Sequence, residues 1–463
     1  MELELLVAEI GSTTTMVNAF DNLKSDSPVH LGQGMAPTSV EEGDVMIGLE
    51  AAIEDLKAEL GAAELSWAEF MATSSAAGGL KMTVHGLVKE MTVRAAEEAA
   101  LGAGAVIRQV TVGKLRDRQL EKIKEIQPNI ILLAGGVDYG EEETILYNAE
   151  KLAGLGIKVP VVYAGNSVLQ DEVRDIFGEK GIETIIVDNV YPDIDRLNIE
   201  PTRKEIHEVF ARHIVKAPGM SRITEMLTAE MLPTPGAVMQ SARLLKEKIG
   251  NLVVFDIGGA TTDVHSVTEE SGKVRDILVS PEPEAKRTVE GDLGVYLNAP
   301  HVYSLLKDQF EIPAREDLAP IPRNKEEEKY VEHLAARAAR TALERHAGSY
   351  RDYYGSGGRQ TVAEGKDLTA VRWLIGTGGA LTRLAGGKDI LKSLRTNRSR
   401  QLLPPEEARP LIDKKYIMAS LGVMSKKYPE AAVKLMLASL EIEEKDLEID
   451  NENLENKDEI LEN

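Results

Sequence analysis

Residues 253–267 read VVFDIGGATTDVHSV. The apolar run Val253–Phe255 predicts a buried strand that ends at Asp256. Gly258, Gly259, Ala260, Thr261, Thr262 and Asp263 follow, and Val264–Val267 begins a second strand. The pattern is a β-hairpin whose turn is made of the smallest residues and two hydroxyls. Small residues let successive backbone N–H groups approach an anion, and such a turn can form a phosphate nest. Asp256 and Asp263 flank it, where carboxylates can hold a hydrated Mg2+.

The pattern recurs near the start of the chain. Residues 7–20, VAEIGSTTTMVNAF, align without a gap on 254–267, VFDIGGATTDVHSV. Val7, Ile10, Gly11, Thr14, Thr15 and Val17 match Val254, Ile257, Gly258, Thr261, Thr262 and Val264. Two phosphate-type hairpins about 250 residues apart predict two similar lobes closing on one nucleotide. A third element, WLIGTGGALTRL at 373–384, runs from an apolar strand through Gly376, Thr377, Gly378 and Gly379 into a helical pattern. A glycine-rich strand-to-helix turn lets backbone pack flat against an adenine or ribose, although such turns also serve as plain connections.

Two hairpins and a later glycine turn, in this order, resemble the sugar kinase, Hsp70 and actin superfamily of ATPases. Within it the chain is similar to the glutamate mutase L (MutL/GlmL) family, which is unrelated to the mismatch-repair protein of like name. The stretches that carry the similarity include LVAEIGSTTTMVNAFD at the start, LGQGMAPTSVEEGDV at 31–45, ILLAGGVDYGEEETILYNAEKLA at 131–153, TVEGDLGVYLNA at 288–299 and SLGVMSKKYPEAA at 420–432. The resemblance reaches to about residue 440. It implies an α/β, two-lobed, actin-like fold of duplicated ribonuclease H-like lobes with an inserted parallel βαβ unit. It also implies a chaperone-like ATPase that uses ATP and Mg2+ on adenosylcobalamin-dependent mutase or aminomutase subunits. General similarity suggests the subgroup tied to ornithine degradation.

By that resemblance Gly11, Ser12, Thr13, Thr14, Gly258, Gly259, Thr261 and Thr262 cradle the β- and γ-phosphates, while Gly376, Thr377, Gly378 and Gly379 meet the adenosine. Asp256 and Glu9 hold the metal, and Asp256, Asp263 and Glu9 position metal and water. Two departures stand out. Glu9 occupies a position where the superfamily carries aspartate, reaching about 1.5 Å further. Met16 matches Asp263 and lacks its carboxylate. ATP binding is therefore a firmer expectation than hydrolysis.

Composition narrows the field. The chain has 463 residues, no cysteine and a formal charge of −22. Without cysteine there is no disulfide, thiolate metal site or iron–sulfur cluster. Such an acidic chain offers no basic face for nucleic acid. No apolar run of about 18 residues suggests a membrane span, and MELELLVAEIG lacks a basic leader, so the expected location is cytoplasmic.

The expected organisation is a first lobe (1–108), a βαβαβ unit (109–192), a helical connection (193–250) and a second lobe (251–412). C-terminal helices (413–440) return to the first lobe by family pattern, and an acidic tail (441–463) follows. A helix near 87–107 would join the lobes, with Gly102 and Gly104 as hinge candidates. Glycines 135, 136 and 165 fall at strand ends, where α/β sheets bind ligands, but a purely structural unit is the better expectation. His207 and His213 are six apart, which does not suit paired metal ligands on a helix, and read as surface residues. Ser74 and Ser75 lie in a small-residue run that reads as a loop beside the first hairpin. The competing readings are a small-molecule kinase of the same fold, a nucleotide-binding assembly factor without turnover, and an actin-like filament. Oligomeric state is left open.

Overall fold

The computed structural model describes residues 1–39, 43–75, 80–102, 105–194, 196–214, 219–280, 282–306, 317–355, 358–396 and 399–442. The hinge candidate Gly104 and residues 443–463 of the acidic tail lie outside them.

The chain opens with β1 (Glu2–Ile10), β2 (Thr14–Asp21), β3 (Val29–Pro37), α1 (Val45–Leu60) and β4 (Ser66–Ser74). Helix α1 starts where the Asp44 carboxylate accepts from Met46 N and stops at Gly61, whose φ of 61° ordinary residues rarely adopt. Next come β5 (Leu80–Gly86), a π-turn at Lys89–Val93, α2 (Arg94–Gly102), β6 (Ala105–Val112) and α3 (Asp117–Ile126). The alternation continues with β7 (Ile130–Leu133), α4 (Glu143–Ala153), β8 (Val161–Tyr163), α5 (Gln170–Gly178) and β9 (Thr184–Ile186). A connection follows, of α6 (Glu200–Ile214), α7 (Met220–Met226), β10 (Leu232–Pro233) and α8 (Thr234–Ile249).

The remainder begins with β11 (Leu252–Ile257), β12 (Thr262–Val267), α9 (Gly272–Arg275), β13 (Ala285–Glu290), α10 (Ala299–Ser304) and α11 (Lys325–His346). A hairpin of β14 (Ser349–Gly355) and β15 (Gly358–Glu364) precedes β16 (Trp373–Thr377), α12 (Gly379–Thr382), α13 (Gly387–Ser393) and β17 (Arg409–Ile412). Helices α14 (Met418–Met424) and α15 (Pro429–Ser439) end the described chain. No described helix is long and apolar enough to cross a membrane.

Two of the sheets are copies of one plan. The first runs β3-β2-β1-β4-β10 and the second β13-β12-β11-β16-β17. In each, the opening three strands are antiparallel neighbours and the last two join in parallel. This duplicated ribonuclease H-like order establishes the two-lobed actin-like class directly. The third sheet, β6-β5-β7-β8-β9, is wholly parallel. It corrects one boundary: the inserted unit begins at β5, residue 80, and not at 109. The stretch around 87–107 contains a helix, but the flanking LKMTVHG and AVIRQVTV are strands of the insert. Asparagines lace the carboxyl ends of this sheet: Asn189 Nδ2 donates to Gly136 O (3.0 Å) and Asp138 Oδ1 (3.0 Å), and Asn166 Oδ1 accepts from Tyr139 N (3.0 Å).

One apolar core binds the lobes together. Leu5, Val7, Phe20 and Met71 of the first sheet share it with Val254, Trp373 and Ile375 of the second, around α8, α14 and α15. Helices α8 and α14 touch backbone to backbone, since a Cβ at Gly422 would lie 1.9 Å from Ala237 O. Gly422→Ala is therefore expected to lower stability by on the order of 3 kcal/mol. A thermal unfolding midpoint equal to that of the unaltered protein would contradict this.

Candidate functional site

The hairpins β1–β2 and β11–β12 close by the same bond. Gly11 N donates to Thr14 O at 3.0 Å, and Gly258 N donates to Thr261 O at 2.9 Å. Their registers also coincide: Glu9 faces Met16 as Asp256 faces Asp263, and Ile10 faces Thr15 as Ile257 faces Thr262. The turns meet across the cleft between the lobes. A Cβ on Gly259 would sit 3.0 Å from Thr13 Oγ1. Behind the second turn, Tyr296 N and Leu297 N donate to Gly259 O (2.9 and 2.8 Å) and Asn298 Nδ2 donates to Ala260 O (2.7 Å). Those bonds tie up the carbonyl edge of the turn.

The turns line a cavity of about 450 Å³. Gly11, Ser12, Thr13, Thr14, Gly258, Gly259 and Thr261 are on its wall, with Glu9, Asp256, Asp263 and Gly379. Pro320, Ile321, Pro322, Val331 and Leu384 supply an apolar side. A mostly apolar cleft with a few convergent polar groups is the ordinary form of a small-molecule site.

Four of the residues expected at the site are placed elsewhere. Thr262 is buried and its hydroxyl donates to Leu293 O at 2.7 Å, so it secures the hairpin to the lobe. Gly376 faces the core, where a Cβ would meet Ile412, Leu381 and Leu391. The Thr377 hydroxyl donates to Asp413 Oδ2 at 3.1 Å. Gly378, at φ 80°, packs under the cavity floor, and a Cβ there would lie 2.5 Å from Asp256 Oδ1. The third turn thus reaches the cavity through Gly379, while Gly378 gives Asp256 its seat. Ser74 and Ser75 do border the cavity, and Ser75 O accepts from the Ser12 hydroxyl at 3.1 Å.

Glu9 is buried, and its Oε2 has no hydrogen-bond partner. Burial, then the negative charges of Asp256 and Asp413, push its carboxyl up to about 8. Asp256 keeps part of its surface open to the cavity but lies deep in the cleft. Burial and the Asp263 charge lift it to about 7, against a downward pull from Arg287. Two neighbouring carboxyls that hold protons near neutrality are short of positive charge. An unpartnered buried carboxylate oxygen beside a second carboxylate suits a divalent cation, which would displace those protons. Among the described residues no group of three or more His, Asp or Glu stands at ligand spacing. Two carboxylates with water and phosphate oxygens match the way Mg2+ is commonly held.

Asp263 is committed differently from the sequence expectation. Its Oδ1 accepts from Arg287 Nε (2.9 Å) and Nη2 (2.6 Å), both side chains being buried. That oxygen is engaged by a cation of the protein itself, while Oδ2 receives a long contact from the Thr261 hydroxyl at 3.4 Å. Arg287, Asp413, Tyr416 and Arg383 were not singled out from sequence. Asp413 caps α14 through Ile417 N (3.0 Å) and Met418 N (2.9 Å), and accepts from the Ser439 hydroxyl at 2.6 Å. Burial raises its carboxyl, and these bonds pull it back. It holds the turn that brings Tyr416 (φ 49°) into the cavity wall. Asp413 directly follows β17, a short RPLI strand without the apolar run that marks Asp256, and Arg287 sits in an otherwise ordinary strand, AKRTVE. His207 also departs from expectation: it is largely buried beside Gly236, and burial lowers its pKa to about 4.

The family model described as MutL protein matches residues 5–440. Protein MutL of Clostridium tetanomorphum is 38% identical over 455 residues, covering 93% of this chain and 98% of that one. The chain therefore belongs to the MutL family. Among solved structures, a nucleotide-free diol dehydratase-reactivating factor aligns over 92% of this chain and 100% of its own, at 11% identity and a TM-score of 0.35. The ethanolamine utilization protein EutJ of Carboxydothermus hydrogenoformans aligns over 90% and 88%, at 12% identity and a TM-score of 0.29. Scores this low carry no inference about function.

The raised carboxyls have a pH signature. Glu9 keeps its proton to about pH 8 when folded, whereas an unfolded glutamate releases it near 4.5. The folded state binds the extra proton between those values, so metal-free protein should lose stability as pH rises from about 5 to 8. Glu9→Gln should flatten that slope. Melting temperatures of both proteins across this range, in chelator, provide the check; parallel curves would refute it.

Proposed function

We propose that this protein binds MgATP between its lobes and acts as a reactivating factor for an adenosylcobalamin-dependent mutase or aminomutase. The observation that carries the nucleotide reading is the pair of matched hairpin turns facing each other across one cleft, Gly259 against Thr13, with two proton-holding carboxyls beneath them. Backbone amides at Ser12 and Gly259, with the hydroxyls of Thr13, Thr14 and Thr261, would receive phosphate oxygens, while Gly11 and Gly258, whose own N–H groups close the hairpins, leave the phosphates room to approach. Glu9 and Asp256 would hold the Mg2+, which when bound would neutralise phosphate charge. The apolar side at Pro320–Pro322, Val331 and Leu384 suits a purine. Family membership and the resemblance in sequence support the reactivating role, with glutamate or ornithine catabolism as the setting.

A second reading has its own support. Asp263, the third carboxylate on the wall, is held by Arg287, and Met16 stands at the matching position of the first hairpin. With one oxygen of Asp263 held by Arg287 and no carboxylate at Met16, less carboxylate is left to orient water, which favours slow turnover or a nucleotide-bound assembly factor. The two readings separate in one experiment. A glutamate or ornithine mutase inactivated with hydroxocobalamin is incubated with the protein and MgATP, following both phosphate release and mutase activity. Recovery that requires ATP and falls at least tenfold in Asp256→Ala supports reactivation by turnover. Recovery that a non-hydrolysable analogue also supports favours the assembly factor. ATP binding without recovery of either mutase would overturn the proposed partner.

A further inference from the structure

Arg287 has one guanidinium and two allegiances. Nε and Nη2 grip Asp263 in the cleft, and Nη1 donates to Leu101 O at 2.8 Å, in the last turn of α2. Strand β13 belongs to the second lobe, and α2 belongs to the insert carried by the first. A buried side chain therefore spans the lobes and touches the cavity wall at the same time. Its neighbours on the α2 contact are also polar: Lys366 pairs with Glu98 at 3.0 Å, and Arg94 pairs with Glu282. Polar, paired contacts can exchange partners, which close-packed apolar surfaces do not do readily.

The residue opposite Arg287 in the ladder is His265. His265 is fully buried, and neither of its ring nitrogens has a hydrogen-bond partner. Burial and the Arg287 charge keep its ring neutral. A neutral imidazole carries one donor and one acceptor, so an unused acceptor lies beside the arginine. Directly opposed residues on adjacent strands stand within side-chain reach.

We propose that Arg287 and His265 form a two-position relay coupling the nucleotide cleft to helix α2. Resting on the MgATP reading above, the relay begins with the arriving phosphates. They compete for the guanidinium with the Leu101 carbonyl, a neutral and weaker acceptor. The guanidinium turns toward the cleft, Nη1 leaves Leu101, and the waiting His265 nitrogen accepts from it. Nη1 finds an acceptor in either position, so both are accessible and the nucleotide selects between them. Release of Leu101 frees the end of α2, and with it the insert, to move against the second lobe.

The test is hydrogen exchange on the full chain, with and without Mg2+ and a non-hydrolysable ATP analogue. Each protein is studied at a concentration shown by direct titration to saturate it. In the unaltered protein, amides of residues 94–102 are expected to exchange at least fivefold faster with nucleotide than without. In His265→Phe, which fills the site without an acceptor, the acceleration should shrink below twofold. His265→Gln restores an acceptor and should recover most of it. A general structural effect of position 265 would instead shift exchange equally in both states. Nucleotide binding with no change at 94–102, or a full response in His265→Phe, overturns the relay and leaves the nucleotide site standing. Absence of nucleotide binding overturns both.

Discussion

Two carboxyl groups buried in one cleft set the terms for the rest of this structure. Glu9 and Asp256 end matched strands in apolar surroundings, where an ionised carboxylate without a partner is strongly disfavoured. The protein tolerates them by keeping them protonated near neutrality. Much of the local architecture follows from seating them. Gly378 has no side chain because Asp256 needs that space, and Asp413 ties the third turn to the C-terminal helices. Asp263 meets the same difficulty with a different answer, a buried arginine that neutralises it. The matched positions of the two hairpins have thus diverged chemically while their backbones have not.

The lobes are duplicates in topology but not in independence. Their shared core runs through α8 and α14, which pack on both sheets and on each other so closely that only glycine fits at 422. The contacts near the cleft are of another kind. There a glycine turn meets a threonine, an arginine reaches a helix carbonyl, and Arg383 meets Gln33. Apolar packing fixes the lobes at their base, and exchangeable polar contacts join them at the mouth. That distribution favours rotation about the base over separation of the halves.

What could be read from sequence was local. Hairpins write their signature in a few adjacent residues, so Gly11, Gly258 and the carboxylates beside them were visible, and the third turn was placed correctly at 376–379. Within that turn the division of labour was not visible, because it depends on what Gly376 and Thr377 face: a helix for one, Asp413 for the other. Thr262 failed for the same reason, since its hydroxyl goes to a carbonyl 31 residues on. The insert boundary was missed because β5 pairs with β6 and β7 only after the chain has passed through a π-turn and a helix. Arg287 was missed because a basic residue in a strand looks like any solvent-facing one until its partners at 263 and 101 are known. Nonlocal pairing marks the limit in every case.

The insert has a kinetic meaning as well. Strand β4 ends at Ser74, yet its outer neighbour β10 begins at Leu232. Closing a loop of that length in an unstructured chain is slow, because many residues must be confined before the pairing is rewarded. A parallel sheet formed within the loop shortens the effective distance between its ends. Assembly therefore has a natural order during synthesis: the insert first, then the edge strand it delivers. The first lobe comes last, since α14, which covers its sheet, is not made until residue 424. Until then the face of the first sheet that α14 covers stands open to solvent, so the last stretch of chain to be made is the one that closes the apolar core.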